Sequence, residues 1–555
     1  MSPSSPPAAR TAARHIVDAL LANGTDRAFC VPGESYLPLL DALADVADRL
    51  PLVVCRHEAA CANMAAAHGR LTGRPGVCLV TRGPGATHAS IGLHTAMQDS
   101  LPVIMLVGHV PTSDFGREAF QEIDFAAFFG PLVKWAAVVP RADRLPEFMQ
   151  RAFAVATTGR PGPVVLALPE DVLDGAFPAP PPRAAVPARA APDPAAVAAV
   201  AARLRAAQKP LLWVGGSTWT PDAWARLGQF AAERALPVAT AFRRKDAFDN
   251  SHPCYAGELG FAVNPALAAR VRESDLVIAL GTRLGEVTTG EYQHLLPPFP
   301  AQPLVHVHPD AAELGRVYRA DVPVLSDPAA FVDALATALP PAPLAAEWTR
   351  AARADYERFV VPPADGYALS LGQVFKALDA RVPADTIWTN GAGNYALWLH
   401  RFVQHRRPGT QVAPTSGAMG FGVPAAIAAK LTRPDRLVIG VGGDGCFLMS
   451  AQEIATAVQY HAPVKFLVVD NGTYGTIRMH QARRFPGRPY ATALRNPDFV
   501  GYAGAFGLAA WRAATTAEAL AAAEEWLASP GPALLQLVVE PEQIAPGRAL
   551  SSLPG

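Results

Sequence analysis

Charge is scarce in this chain and evenly split: 17% of residues are Asp, Glu, Lys or Arg, with 48 basic side chains against 48 acidic ones. A balanced count lacks the basic surface that nucleic-acid binding requires, and no interleaved aromatic and basic patch replaces it. Cysteine is scarce as well. Cys30, Cys55, Cys61, Cys78, Cys254 and Cys446 are scattered, with no CxxC pair and no zinc-ligand spacing. Reduced core thiols in a cytoplasmic protein are the simplest reading. No apolar run approaches the roughly 18 residues that span a bilayer. The N-terminal stretch "MSPSSPPAARTAARHIVDALLANG" has no continuous apolar segment of the secretory type. Neither nucleic acid nor a membrane is expected as a partner.

What the chain does have is length and apolar residues. Its 555 residues, 50% of them hydrophobic, exceed what one core accommodates. Two Pro/Ala-rich stretches, Ala176 to Pro194 ("AFPAPPPRAAVPARAAPDP") and Leu339 to Trp348 ("LPPAPLAAEW"), read as linkers. They predict three domains, at residues 1–176, 195–340 and 365–545. Each piece alternates short β-branched runs with helical patterns. "PLVVC", "GVCLV" and "PVIMLVG" come first, "PLLWVGG", "LVIALG" and "PLVHVH" follow, and "RLVIGVGG", "VKFLVVDNG" and "ALLQLVV" come last. This pattern predicts an α/β protein of three doubly wound parallel-sheet domains, with ligands gathered at the carboxyl ends of strands. A faint repeat relates Gly69 to Gly85 ("GRLTGRPGVCLVTRGPG") to Ala429 to Gly445 ("AKLTRPDRLVIGVGGDG"). It reads either as shared βα grammar or as descent of the outer domains from one fold.

One short stretch poses a chemical question. "VGGDGCFL" (Val441 to Leu448) leaves an apolar strand and at once sets a carboxylate between glycines. Glycines admit close approach of a ligand to backbone, and a carboxylate withdrawn from water needs a partner. A predicted helix (Ser450 to Tyr460) and strand (Val464 to Val469) follow, ending in "DNGTYG". Asp444 and Asn471 would therefore sit at two strand ends of one parallel sheet, one βαβ crossover apart. A carboxylate, an amide oxygen and the Thr473 carbonyl form an oxygen set suited to magnesium, which completes its octahedron with water and substrate phosphates.

The GDG turn and the Asn-Gly turn after it resemble the signature of thiamine-diphosphate enzymes. The details resemble the acetolactate synthase and benzoylformate decarboxylase branch, with "GAMGFGVPAAIAAK" (Gly417 to Lys430), "GRPGPVVLALPEDV" (Gly159 to Val172), "RHEAACANMAAAHGRLTGRPG" (Arg56 to Gly76) and "TRGPGATHA" (Thr81 to Ala89). The likeness covers nearly the whole chain and is weakest in the middle. It implies pyrimidine-binding, central and diphosphate-binding domains, with thiamine diphosphate held through Mg2+ by Asp444, Asn471 and the Thr473 carbonyl. Glu58 matches the glutamate that hydrogen-bonds N1′ of the aminopyrimidine and favours the tautomer that deprotonates thiazolium C2. Met419 matches the apolar wedge under the bent cofactor, and Gly417 the carbonyl that accepts its amino proton. Asn394 and Tyr395 in "GAGNYALW" would grip the diphosphate, aided by backbone donors of Gly445 and Cys446. Thr81, Pro84, His88, Gly443 and Tyr474 complete the implied cofactor contacts. The resemblance further implies a homodimer or homotetramer with active sites at the subunit interface.

Departures from the family pattern bear on the substrate. The usual Asn-Asn of the metal turn is Asp470-Asn471, where the extra carboxylate reads as a loop brace. Glu34 and Ser35 stand where family members place small residues or histidine. Glu34 could serve as acid or base, exclude acidic substrates, or point away. Gln121 ("REAFQEID") matches a glutamine directed at the active centre. Ile477 and His480 ("TYGTIRMHQ") match pocket-lining positions, and His480 is either a proton shuttle or a polar wall. Arg82 and His88 replace smaller or neutral residues. Glu58, Gln121, Ser35 and His480 are thus the candidate catalytic side chains. In the middle domain "GTRLGEVTTG" stands for the expected "GARFDDRVTG", and no Met-His-Gly follows "ELG". These departures weigh against FAD, which stays an open alternative. The leading reading is a carboligase/decarboxylase, both lyase and transferase chemistry, acting on 2-oxo acids such as pyruvate. The alternatives are an aldehyde lyase or benzoylformate-type decarboxylase, and a non-catalytic binding homologue.

Overall fold

The β-branched runs become strands buried on both faces, an environment that a parallel sheet gains when helices cover each side. The computed structural model, which describes residues 9–553, arranges them in three six-stranded sheets. The first contains β1 (Ala28–Cys30), β2 (Leu52–Val54), β3 (Gly76–Thr81), β4 (Val103–His109), β5 (Trp135–Val138) and β6 (Pro163–Pro169), in the order β2-β1-β3-β4-β6-β5. The second contains β7 (Pro210–Val214), β8 (Val238–Ala241), β9 (Tyr255–Leu259), β10 (Leu276–Leu280), β11 (Leu304–His308) and β12 (Val322–Leu325), in the order β9-β8-β7-β10-β11-β12. The third contains β13 (Ile387–Asn390), β14 (Gln411–Val412), β15 (Val438–Gly443), β16 (Lys465–Asp470), β17 (Ala509–Ala513) and β18 (Ala533–Val538), in the order β14-β13-β15-β16-β18-β17. All neighbours within these sheets are parallel. The chain is α/β, with three doubly wound parallel sheets.

The first and third sheets share one strand order, and the middle sheet has the order of dinucleotide-binding domains. β3 and β15, the strands of the faint sequence repeat, occupy the same place in their respective sheets. Each is followed at once by a glycine-containing turn that opens a helix, Arg82–Asp99 in one and Asp444–Leu448 in the other.

The chain divides into two compact units. The first comprises residues up to Ala188 together with Ile427–Arg433 and Ser450–Ala462. There Glu453 accepts the Arg56 N–H at 2.8 Å and the Tyr460 hydroxyl accepts the Val54 N–H at 2.8 Å. The second unit holds the middle and third sheets. Their junction is polar and buried. Lys245 Nζ donates to the carbonyls of His400 (2.5 Å) and Val403 (2.6 Å), and burial lowers its pKa to about 8. Asn250 Oδ1 accepts the His405 N–H at 2.9 Å.

Three local expectations differ from the structure. Ala176–Pro178 is a strand paired antiparallel with Ala9–Thr11, so the first proline-rich stretch is structured at its start. Its end opens a helix, Pro194–Ala206, because proline at a first helical position loses no hydrogen bond and Asp193 caps the turn. The end of the second expected linker is also helical, since the helix Ala346–Phe359 begins within it. The expected single helix from Ser450 to Tyr460 is a 3-10 turn, Ala451–Glu453, followed by the helix Ile454–Gln459. Among the described residues no helix is long and apolar enough to cross a membrane.

Candidate active site

Gly443 at the end of β15 pairs with Val469 near the end of β16, so the two strands finish side by side at the carboxyl edge of the third sheet. Asp444, Asn471 and Thr473, predicted to meet across these tips, line one cleft of about 820 Å3 counted with its open mouth. Asn394, Gly417 and Met419 line the same cleft, as does Ile477. The turn after β16 is held by its own side chains. Asn471 Oδ1 accepts the Thr473 N–H at 3.1 Å, and Gly472, at φ +63°, donates to Asp470 Oδ1 at 3.2 Å.

The glycines around Asp444 are required by packing. A Cβ on Gly443 would lie 2.9 Å from the Tyr395 ring, and one on Gly445 would lie 2.6 Å from the Tyr474 ring. The two rings thus press directly on backbone beside the carboxylate, and any side chain there would displace them. Tyr395 reaches into the cleft wall, but its hydroxyl faces inward, accepting the Gly391 N–H at 3.0 Å and donating to Cys446 Sγ at 3.5 Å. Tyr395 thus lines the cleft with its hydroxyl engaged by Gly391 and Cys446. Gly445 N–H is taken too, at 2.8 Å, by Asp444 Oδ1.

Asp444 is buried, and burial first, with Asp470 beside it, raises its pKa to about 6. Asn496, which sequence reasoning missed, sets its amide nitrogen between the two carboxylates, 2.7 Å from Asp444 Oδ2 and 2.8 Å from Asp470 Oδ1. Gln536 holds the other Asp470 oxygen at 2.8 Å. Asp470 is thus bonded on both oxygens, which fits a loop brace. A buried carboxylate next to a second one, on a cleft that Asn471 and Thr473 also line, is an oxygen-rich set that a small divalent cation fits. No sequence signal marks Asn496, which follows a loop and precedes a proline.

In the first unit Glu58 opens the helix Glu58–Thr72, whose N-cap is His57. Its side chain is only 14% exposed, and its Oε2 lies 2.9 Å from His88 Nδ1. The His57 and His88 rings stack with centroids 4.7 Å apart. The other Glu58 oxygen lies beside Gly85, where a Cβ would be in ordinary contact with it at 3.5 Å. Pro84 is exposed beside it. The Glu58, Gly85 and His88 grouping gathers two separate sequence motifs.

Other candidates fare differently. Ser35 is fully buried and its hydroxyl lies 2.6 Å from Thr81 Oγ1, so Ser35 is a packing residue and not a catalytic one. The reason is local: Gly108 of β4 makes room for it, and a Cβ there would lie 2.1 Å from Ser35 Oγ. Arg82 is bonded to Glu170 and lies 3.6 Å from Glu34. Gln121, at φ +66°, accepts the Gly83 N–H through its carbonyl, while its side-chain Oε1 is buried with no hydrogen-bond partner among the described residues. His480 is exposed on the helix Gly475–Arg484 and is not part of the cleft wall.

Known proteins share this organisation. The family models described as thiamine pyrophosphate enzyme N-terminal TPP binding domain, central domain and C-terminal TPP binding domain match residues 10–128, 197–335 and 391–537. A probable acetolactate synthase large subunit of Methanocaldococcus jannaschii is 33% identical, over 96% of this chain and 93% of its own. The acetolactate synthase isozyme 2 large subunit of Escherichia coli is 33% identical over 95% of each chain. An acetolactate synthase large subunit of Parasynechococcus marenigrum is 35% identical, over 89% of this chain and 82% of its own. With all three domain models met in order and relatives matched almost end to end, this chain belongs to the thiamine pyrophosphate enzymes.

Proposed function

We propose that the protein is a thiamine-diphosphate-dependent carboligase/decarboxylase acting on 2-oxo acids such as pyruvate, as the names of its acetolactate synthase relatives suggest. The observation that carries this reading is the pair of adjacent strand tips that set Asp444, Asn471 and Thr473 on one cleft. In it, Asp444, Asn471 Oδ1 and the Thr473 carbonyl hold Mg2+, Asn394 meets the diphosphate, and Met419 and Gly417 meet the rings. When bound, thiamine diphosphate supplies a carbon nucleophile that adds to a carbonyl and stores the electron pair left by decarboxylation. Glu58 holds a proton at the pyrimidine. In this reading Glu58 of one subunit serves the cleft of another, making a homodimer the minimal unit and a homotetramer an outcome of assembly. The six cysteines, all buried and free, suit a cytoplasmic setting.

FAD is left out of this reading. Besides the altered "GTRLGEVTTG", the turn after β7 packs on the turn after β10: a Cβ on Gly216 would lie 2.5 Å from the Gly281 carbonyl. That is the switch point of the middle sheet, where a dinucleotide would lie. Flavin absorbance in the purified protein would overturn this.

A second reading, an aldehyde lyase acting on substrates that carry no carboxylate, is favoured by Arg82. A guanidinium facing two carboxylates, Glu170 and Glu34, leaves no net positive charge to hold a substrate carboxylate. One experiment separates the two. The purified protein, loaded with Mg2+ and thiamine diphosphate, is given a panel of 2-oxo acids and 2-hydroxy ketones, and products are identified. Carbon dioxide and a ligated hydroxy-oxo acid from pyruvate support the first reading. Cleavage of hydroxy ketones to aldehydes alone supports the second, and no turnover of any panel member contradicts both.

A further inference from the structure

The tightest contact that Glu58 makes is one the proposed reaction does not account for. Its Oε2 lies 2.9 Å from Nδ1 of His88, one turn into the helix after β3. His88 is itself 55% exposed, so nothing in the packing of a core demands it there. Its ring is nevertheless fixed, stacked on His57 at 4.7 Å with 28° between planes. His57 is fixed in turn, because its Nδ1 accepts the Ala59 N–H at 3.0 Å as the helix cap. Two motifs some thirty residues apart, "RHEAA" and "GATHA", therefore hold one carboxylate oxygen.

We infer that His88 is a positioning residue for Glu58, whose Nδ1–H donates to Oε2 and leaves Oε1, beside Gly85, to meet the pyrimidine. The inference rests on the reading of Glu58 given above. A carboxylate has two equivalent oxygens and two rotatable bonds before it, and a bond to one oxygen selects which the cofactor meets. Around the pair, the facing titratable groups are His57, stacked on His88, and Tyr36, within electrostatic range of Glu58 with its hydroxyl bonded to the Val31 carbonyl. Arg56 and Glu453 sit next along the chain and across from it, the Arg56 N–H donating to Glu453 and its guanidinium to Gln459. None of these replaces the donor that His88 supplies to Oε2.

The test uses the full chain with Mg2+, thiamine diphosphate and whichever substrate turns over. His88→Ala is expected to slow exchange of the C2 proton of bound thiamine diphosphate with solvent about tenfold and to lower kcat alike, with thiamine diphosphate affinity little changed. His88→Asn keeps a nitrogen donor at the Nδ1 position and is expected to restore both the exchange rate and kcat. The thermal midpoint should be unchanged in each, as the side chain lies at the surface. Glu58→Gln is measured alongside. If it turns over normally, the reading of Glu58 fails. If Glu58→Gln is inactive while His88→Ala keeps the wild-type exchange rate and kcat, the inference about His88 is overturned and the reading of Glu58 stands. Equal losses in His88→Ala and His88→Asn would also overturn it, since the donor would then not be what matters.

Discussion

The turns after β3 and β15 occupy the same place in two sheets of the same strand order, yet they solve opposite problems. After β15 the carboxylate is in the turn itself: Asp444 sits between glycines whose faces are covered by the Tyr395 and Tyr474 rings, and only a five-residue helix follows. After β3 the helix runs eighteen residues from Arg82, its opening Gly83-Pro84-Gly85 carries no acid, and the carboxylate comes from elsewhere, as Glu58 laid against Gly85. In the proposed reading one scaffold presents an acid to a cation and the other presents an acid to a base. The difference lies in which residue the turn carries and what is packed against it, not in the sheet.

The largest expected effect belongs to the β3 side. Glu58→Gln should lower turnover about a hundredfold or more while thiamine diphosphate affinity changes little, because the group moves a proton and does not anchor the tail. Steady-state rates and equilibrium dialysis read the two quantities separately. On the β15 side the expected pattern is the reverse. Asn496→Ala removes the amide that separates Asp444 from Asp470, and should cost about tenfold in Mg2+-dependent cofactor affinity with a smaller loss in kcat at saturation. Equal effects of the two substitutions on binding and rate would erase the distinction between the turns.

The smallest effects concern packing and sharpen the same contrast. Gly445→Ala drives a methyl group into Tyr474 and should destabilise the protein by about 1–3 kcal/mol. Gly85→Ala meets its neighbours at 3.4 Å or more inside a helix, and should be neutral or stabilising by up to about 1 kcal/mol. Thermal unfolding of the two variants side by side checks the pair.

Much of this was legible from residue order. The strand Pro163–Pro169 is apolar throughout because both faces are buried, and the Asp444 to Asn471 spacing predicts neighbouring strand tips by local grammar alone. What escaped depends on contacts between distant segments. Asn496 reaches Asp444 across 52 residues, and Arg82 reaches Glu170 across 88, with no periodicity linking either pair. Ser35 looked available for chemistry because a loop serine is commonly exposed, and only the absent side chain at Gly108 reveals the space that takes it. Pro194 looked like linker because proline breaks helices inside but begins them readily.

The central claim is that a divalent cation on Asp444 and Asn471 anchors the cofactor tail. Equilibrium binding of thiamine diphosphate to the full chain, in Mg2+ and after exhaustive chelation, with Asp444→Asn in parallel, tests it most directly. The account predicts saturable binding in Mg2+, a loss of about a hundredfold or more on chelation, and the same loss in Asp444→Asn whether or not Mg2+ is present. Undiminished affinity in the chelated wild type, or in Asp444→Asn, would contradict it.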